Sequence, residues 1–165
     1  KFEKIITILT EAYNNGATIY TMGNGGSGST ASHLVCDLNK GVSFDLDKRF
    51  KVMCLNDNIP SVLAYANDIS YSDIFISQLK NCLNTDDVVL GISGSGNSDN
   101  VVKAITYAHT QGVRTIGLTG FDGGRLAEMS DIALIVPSED MQQIEDMHVI
   151  LTHMLMKVLH KQLHG

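Results

Sequence analysis

A three-layer α/β fold, with a parallel β-sheet between two layers of helices, is predicted from three observations. Short apolar runs of strand type alternate with helix-period segments along almost the whole chain. Strands separated by helices of that length pair in parallel. The run at residues 88–92 is continuously apolar, the pattern of a strand buried on both faces. Two of the runs end in Gly/Ser/Asn-rich turns, Gly23-Asn24-Gly25-Gly26-Ser27-Gly28-Ser29-Thr30 and Ser93-Gly94-Ser95-Gly96-Asn97-Ser98, and each turn opens onto a helix-period segment.

Residues 5–13 read as the end of a helix, closed by Asn14-Asn15-Gly16. The first strand is predicted at 17–22, followed by a helix over 29–39 with Ala31, Leu34, Val35 and Leu38 on one face. A second strand falls at 50–55, and Asn56-Asp57-Asn58-Ile59-Pro60 marks a loop into a helix over 61–66. The next helix covers 72–83, with Ser70 or Ser72 as its N-cap. After the third strand at 88–92 comes a helix over 98–111, with Gly112 fitting its C-terminal cap. Strands at 114–118 and 132–136 flank a loop at 120–124 and a short helix at 125–129, and Pro137 ends the last strand. Residues 141–162 read as one long final helix. No repeat, linker or low-complexity tract interrupts the 165 residues, so residues 1–165 are expected to be one domain whose N-terminal helix is incomplete.

Composition bounds the function. The chain is 44% hydrophobic and 18% charged, an ordinary globular balance. A net charge of −6, with 12 basic residues scattered along the chain, argues against a nucleic-acid surface. No apolar stretch approaches the ~20 residues of a membrane span. No signal-peptide pattern opens the chain, which starts at Lys1. Cys36, Cys54 and Cys82 are odd in number, far apart and in apolar contexts, which reads as buried reduced thiols and a cytoplasmic location.

In a parallel sheet ligands bind beyond the carboxyl ends of the strands, where both glycine turns, Asn56-Asp57 and Thr119-Gly120 are all expected. A strand-to-helix turn offers unpaired N–H groups and the positive end of a helix dipole. Ser93, Ser95 and Ser98 add hydroxyls that either cap the helix or donate to phosphate oxygens, and three are more than a cap needs. Neither turn contains Arg or Lys, so the cradle suits a phosphate monoester better than a polyphosphate. The first turn also satisfies G-x-G-x-x-G, a weak dinucleotide signature whose acidic partner would be Asp57, noticeably late. The bland alternative is a tight turn that needs glycine for its backbone. No Gly-Lys-Ser/Thr pair is present, which removes a P-loop.

His33 and Asp37 stand four apart in one predicted helix, hence on one face. Glu145 and His148 share a face of the final helix, and His153 lies about 80° round from Glu145. Such groups serve as acid and base beside a carbonyl, ligate a zinc-type metal, or simply line a helix surface as polar pairs. His109, His160 and His164 show no partner pattern.

The segments GNGGSGSTASH, Ala66-Asn67-Asp68, GISGSGNSDNVVKAI and GLTGFDGGRLAEMSD resemble the sugar isomerase (SIS) domain, and within it the phosphoheptose isomerases, from Gly16 onward. The resemblance implies a five-stranded parallel αβα sandwich of flavodoxin-like, Rossmann-like type, assembled as a homotetramer with active sites between subunits. By match to the family motifs, Asn24, Ser27, Ser93, Ser95 and Ser98 would hold a sugar phosphate, with the backbone of Gly25, Gly26 and Gly94 in the same cradles. Asp68 would meet sugar hydroxyls. The implied reaction interconverts a ketose phosphate and an aldose phosphate, usually sedoheptulose 7-phosphate, through an enediol.

Aligned from the glycine turn, His33 matches a metal-ligand histidine, Asp37 the base position and His153 the acid or ligand histidine. Glu145 falls on a substrate- and metal-contacting position, so the implied zinc ligands are His33, Asp37, Glu145 and His153. Three departures stand out: Asp37 where the family has glutamate, Glu145 where it has glutamine, and Gly94 where it often has threonine. Other readings of the same residues are a non-catalytic SIS module that binds a phosphosugar or a protein partner, as replication-initiator-associating members do, and a dinucleotide-binding domain.

Overall fold

The computed structural model describes residues 1–165, in which five strands form one sheet of order β2-β1-β3-β4-β5, every pair parallel. The strands are β1 (Thr18–Gly23), β2 (Lys51–Cys54), β3 (Val88–Ser93), β4 (Arg114–Thr119) and β5 (Ile132–Ile135). The helices are α1 (Phe2–Asn15), α2 (Gly25–Cys36), α3 (Ile59–Asp68), α4 (Ile76–Cys82), α5 (Asp99–Thr110), α6 (Gly124–Met129) and α7 (Met141–His164).

Two apolar cores flank the sheet, because its strands alternate between them. Ile19, Val88, Leu90 and Ile92 pack with Ile5, Leu9, Leu34, Leu155 and Leu159 of α1, α2 and α7. Tyr20, Met22 and Val89 face Phe75, Leu79, Val101 and Ile105 on the other side. All six residues of β3 are buried, as the continuous apolar run predicts.

Two predicted elements differ from the structure. The helix expected to begin at Ser29 starts at Gly25, immediately after the extended Asn24, and at Asp37 its turns widen into a π-helix over Asp37–Val42. Asn39 pins that wider turn to β2, its amide donating to the Val52 carbonyl at 2.9 Å and accepting from the Val52 N–H at 3.0 Å. The helix expected over 72–83 splits into a 3-10 turn (Tyr71–Asp73) and α4. There the Ser70 hydroxyl bonds the Asp73 carboxylate at 2.6 Å, and Lys103 pairs with Asp73, so side chains hold the segment in the tighter turn. Gly112 lies one residue beyond the C-cap Gln111, with a left-handed φ of 75°.

The strand order reverses between β1 and β3, whose helices α2 and α5 diverge toward opposite edges of the sheet. Both glycine turns therefore open at the crevice where such sheets bind ligands.

Candidate active site at the sheet switch point

The two turns are tied to each other and braced from outside. Asn56, at the end of β2, grips the first turn: its amide accepts from the Gly23 N–H at 3.1 Å and donates to the Gly23 carbonyl at 2.7 Å. Asn24 and the buried Asn100 of α5 exchange two amide hydrogen bonds of 2.9 Å, and the Tyr71 hydroxyl donates to the same Asn24 oxygen. In the second turn the Ser93 and Ser98 hydroxyls lie 3.1 Å apart, while Ser95 Oγ accepts from the Asn97 N–H. Gly96 takes φ 66° against the backbone of Gly123, a place no side chain fits. Arg125 clamps this turn, donating to the Asn97 carbonyl at 2.7 Å and to Asp99 at 2.6 Å.

Both turns end in a residue of capping type that does not cap the helix it precedes. Asn58 caps α3 through the Ser61 N–H, and Asp140 caps α7 through the Gln143 N–H. Asn24 and Ser98 are equally good capping residue types, yet neither side chain caps its helix, α2 or α5. Two 12-residue helices thus start at one crevice without a bond from the N-cap side chain; the Asn100 side chain takes the Val101 N–H of α5 at 2.9 Å, and the first N–H groups of both helices remain, a ready anion site.

Beside the crevice, His33, Asp37 and His153 bring three potential ligand atoms within 4.8 Å of one another. The two Nε2 atoms stand 2.9 Å apart, and Asp37 Oδ2 lies 3.5 Å from His33 and 3.9 Å from His153. Asp37 Oδ2 is buried and makes no hydrogen bond. Ligands ~2.0–2.1 Å from a tetrahedral zinc stand about 3.3 Å apart, and these three edges bracket that value. A buried carboxylate oxygen left without a donor and two facing imidazoles are a donor set that fits a divalent ion of the zinc class. The π-turn that begins at Asp37 aims its carboxylate here, a role for such turns that recurs at functional sites.

Glu145 stands outside that cluster. Its carboxylate lies over Gly26, in the first turn of α2, where a glycine side chain would collide with it. Of the expected ligands, then, three converge and the fourth faces the helix start. Asp68 sits exposed in the last turn of α3, bonded only to the neighbouring Asn67 amide at 2.7 Å. Asp57 is exposed and accepts from Ser32 at 3.1 Å, and Asn56 is committed to Gly23. Ser27 is buried in the first turn of α2. A cavity of about 760 Å³ between α1 and α6 is lined by none of the expected site residues.

His148 is 1% exposed, its Nε2 donating to the Thr119 carbonyl at 3.0 Å. Burial holds its imidazole below the usual histidine value, against that bond and the Glu145 carboxylate, which push the other way. It joins α7 to β4. His109 has a partner after all, Asp131 at 3.2 Å, and His164 bonds the Val42 carbonyl at 2.8 Å. The contacts of Asn100, Tyr71 and Arg125 are not legible in the sequence: Asn100 and Arg125 lie inside the quoted segments, but their bonds to Asn24 and Asn97, like that of Tyr71 to Asn24, are made between elements far apart in the chain. An asparagine at the second position of a helix opened by the serine turn was the one available signal for Asn100.

The SIS domain family matches residues 1–120. A phosphoheptose isomerase of Geotalea daltonii is 37% identical over 166 residues, covering all of this chain and 85% of that protein. One from Helicobacter pylori is 39% identical over 150 residues, covering 91% of this chain and 78% of its own. Among solved structures, a phosphoheptose isomerase from Francisella tularensis superposes with a TM-score of 0.90 at 29% identity, covering 97% of this chain and 85% of that one.

Proposed function

This chain belongs to the SIS-domain family, and on that premise we propose that it interconverts sedoheptulose 7-phosphate and D-glycero-D-manno-heptose 7-phosphate, an aldose–ketose isomerisation through an enediol. The observation that carries the reading is the pair of helix starts at one crevice whose N-cap side chains leave the first N–H groups free, beside a histidine–carboxylate cluster. The first supplies neutral donors for a phosphate monoester, the second the groups for moving protons beside a carbonyl.

In this reading the Ser93, Ser95 and Ser98 hydroxyls, with the N–H groups around Gly94 and at the start of α5, hold the phosphate. Asn24, Gly25, Gly26 and Ser27 position the sugar, and Asp68 meets its hydroxyls. Asp37 and Glu145 are the carboxylates available for the proton on carbon, and His153 serves the proton on oxygen. With no ion between them, the 2.9 Å Nε2 pair of His33 and His153 accommodates one proton, so the pair can pass it on. His33, Asp37 and His153 would hold a divalent ion, zinc by its nitrogen and oxygen donors, with Glu145 as a further candidate. When bound, that ion supplies positive charge to the developing enediol oxygens.

The assembly proposed is a homotetramer with sites between subunits, supported by a row of exposed apolar residues on α7. No helix is long and apolar enough to cross a membrane. The proposed cytoplasmic location is supported by three unpaired cysteines, of which only Cys54 is buried; Cys36 and Cys82 are exposed, against the expectation of buried thiols.

The test is isomerisation of sedoheptulose 7-phosphate by the purified chain, followed by NMR with and without added zinc. Turnover is expected, and His153→Ala should abolish it. Binding of the phosphosugar without turnover would instead identify a non-catalytic phosphosugar module.

A further inference from the structure

We infer that Tyr71 and Asn100 are positioning residues: together they lock the Asn24 amide so that it meets the sugar with an N–H and not with its oxygen. Resting on the isomerase reading above, this assigns what one residue of the sugar cradle offers its ligand.

The orientation starts from a group that cannot turn round. The Val101 N–H of α5 donates to Asn100 Oδ1 at 2.9 Å, and a backbone N–H bonds only to an acceptor, so it marks the oxygen of the Asn100 amide. That oxygen also accepts from Asn24 Nδ2, while Asn100 Nδ2 donates to Asn24 Oδ1, each at 2.9 Å. Reversing the Asn24 amide would set nitrogen against nitrogen and oxygen against oxygen. The Tyr71 hydroxyl donates to the same Asn24 Oδ1 at 2.9 Å, so both lone pairs of that oxygen are taken. Asn24 Nδ2 gives one hydrogen to Asn100, and its other hydrogen has no acceptor within the chain. Asn24 immediately precedes α2 and does not cap it, so this spare donor stands at the crevice and suits an oxygen of the sugar.

The lock also accounts for Tyr71. The residue is 59% exposed, so burial does little to hold it. Its 3-10 turn is fastened by Ser70, Asp73 and Lys103 instead. What the hydroxyl adds is a bond to a residue 47 positions away, at the start of another helix. Asn100 is 2% exposed, and Asn24 is its one side-chain partner.

The experiment measures steady-state isomerisation of sedoheptulose 7-phosphate, calorimetric binding of that sugar, and a melting curve for each variant. Tyr71→Phe removes the hydroxyl alone. It is expected to raise KM and the dissociation constant about threefold to tenfold, the effect of one hydrogen bond. The value of kcat should stay within about twofold, because the amide grips substrate and transition state alike. The melting temperature should move by less than about 2 °C. Asn100→Asp keeps the acceptor for Val101 but sets a carboxylate oxygen against Asn24 Oδ1, so it should raise KM more than Tyr71→Phe does. In an Asn24→Ala background Tyr71→Phe should change KM by less than about twofold, since its effect passes through Asn24.

A wild-type KM in Tyr71→Phe overturns the inference. So does an undiminished effect of Tyr71→Phe beside Asn24→Ala, which would mean that the hydroxyl acts without Asn24. Tyr71→Phe decides the matter even where Asn100→Asp does not fold. A wild-type chain that binds the sugar without turnover overturns the isomerase reading alone, and the dissociation constants of the same variants then decide the lock. A wild-type chain that does not bind the sugar overturns both.

Discussion

Gly94 and Met141 act as a matched pair: the thioether fills the space that a side chain at residue 94 would occupy in the phosphate cradle. Gly94→Thr alone should therefore lower the melting temperature and raise KM for the phosphosugar, although it adds a hydroxyl to the cradle. Adding Met141→Ala should recover both, a non-additivity read from the double-mutant cycle. His148 makes a prediction about pH. Its imidazole is held neutral in the fold, so below about 6.5 the unfolded chain binds the extra proton first. The sign follows: this contribution to stability is full above that value and is lost as pH falls through the window down to the lowered native value. Melting curves across that range should show His148→Gln less sensitive to acid than the wild type. Recovery of the wild-type slope in His148→Gln would assign the acid sensitivity to other groups.

The N-terminal caps of the helices separate structural from ligand-binding polar residues. Asp140 accepts from the Gln143 N–H and anchors the start of α7, so Asp140→Ala should cost about 1 kcal/mol in chemical denaturation. Ser98 makes no such bond to α5, so Ser98→Ala should cost far less stability while weakening phosphosugar binding. Equal destabilisation by the two would mean that Ser98 is merely a cap. Regular elements were legible in the sequence because burial imposes a period on them: all five strands and the main helices lie where the apolar pattern puts them. The π-turn at Asp37 and the 3-10 turn at Tyr71 were not, since both are set by side-chain bonds from distant residues, Asn39 to β2 and Lys103 to Asp73. The site follows the same division. Its local motifs, the two turns and the His33/Asp37 spacing, could be read from the chain, whereas the Asn24–Asn100 pair and the seat of Glu145 on Gly26 depend on packing between elements.

The folded chain leaves one helix face unfinished. Met147, Ile150, Met154 and Val158 repeat at helical spacing along α7 and are between 39% and 48% exposed, an apolar row on the same helix that supplies Glu145 and His153. The expected site residues, meanwhile, share no single enclosed cavity: Gly25 and His33 border one open groove beside Asp57, and Ser95 borders another beside Pro137. An apolar stripe of this kind is stabilised by burial against another copy, at roughly 25 cal/mol per Å² of apolar surface removed from water. In the proposed tetramer that contact lies on the helix that carries Glu145 and His153, so assembly and activity are expected to fall together. Ile150→Glu and Met154→Glu should shift the mass measured by light scattering toward the monomer, lower the melting temperature in a concentration-dependent way, and reduce turnover. A variant that becomes monomeric yet isomerises at the wild-type rate would show that one chain holds a complete site.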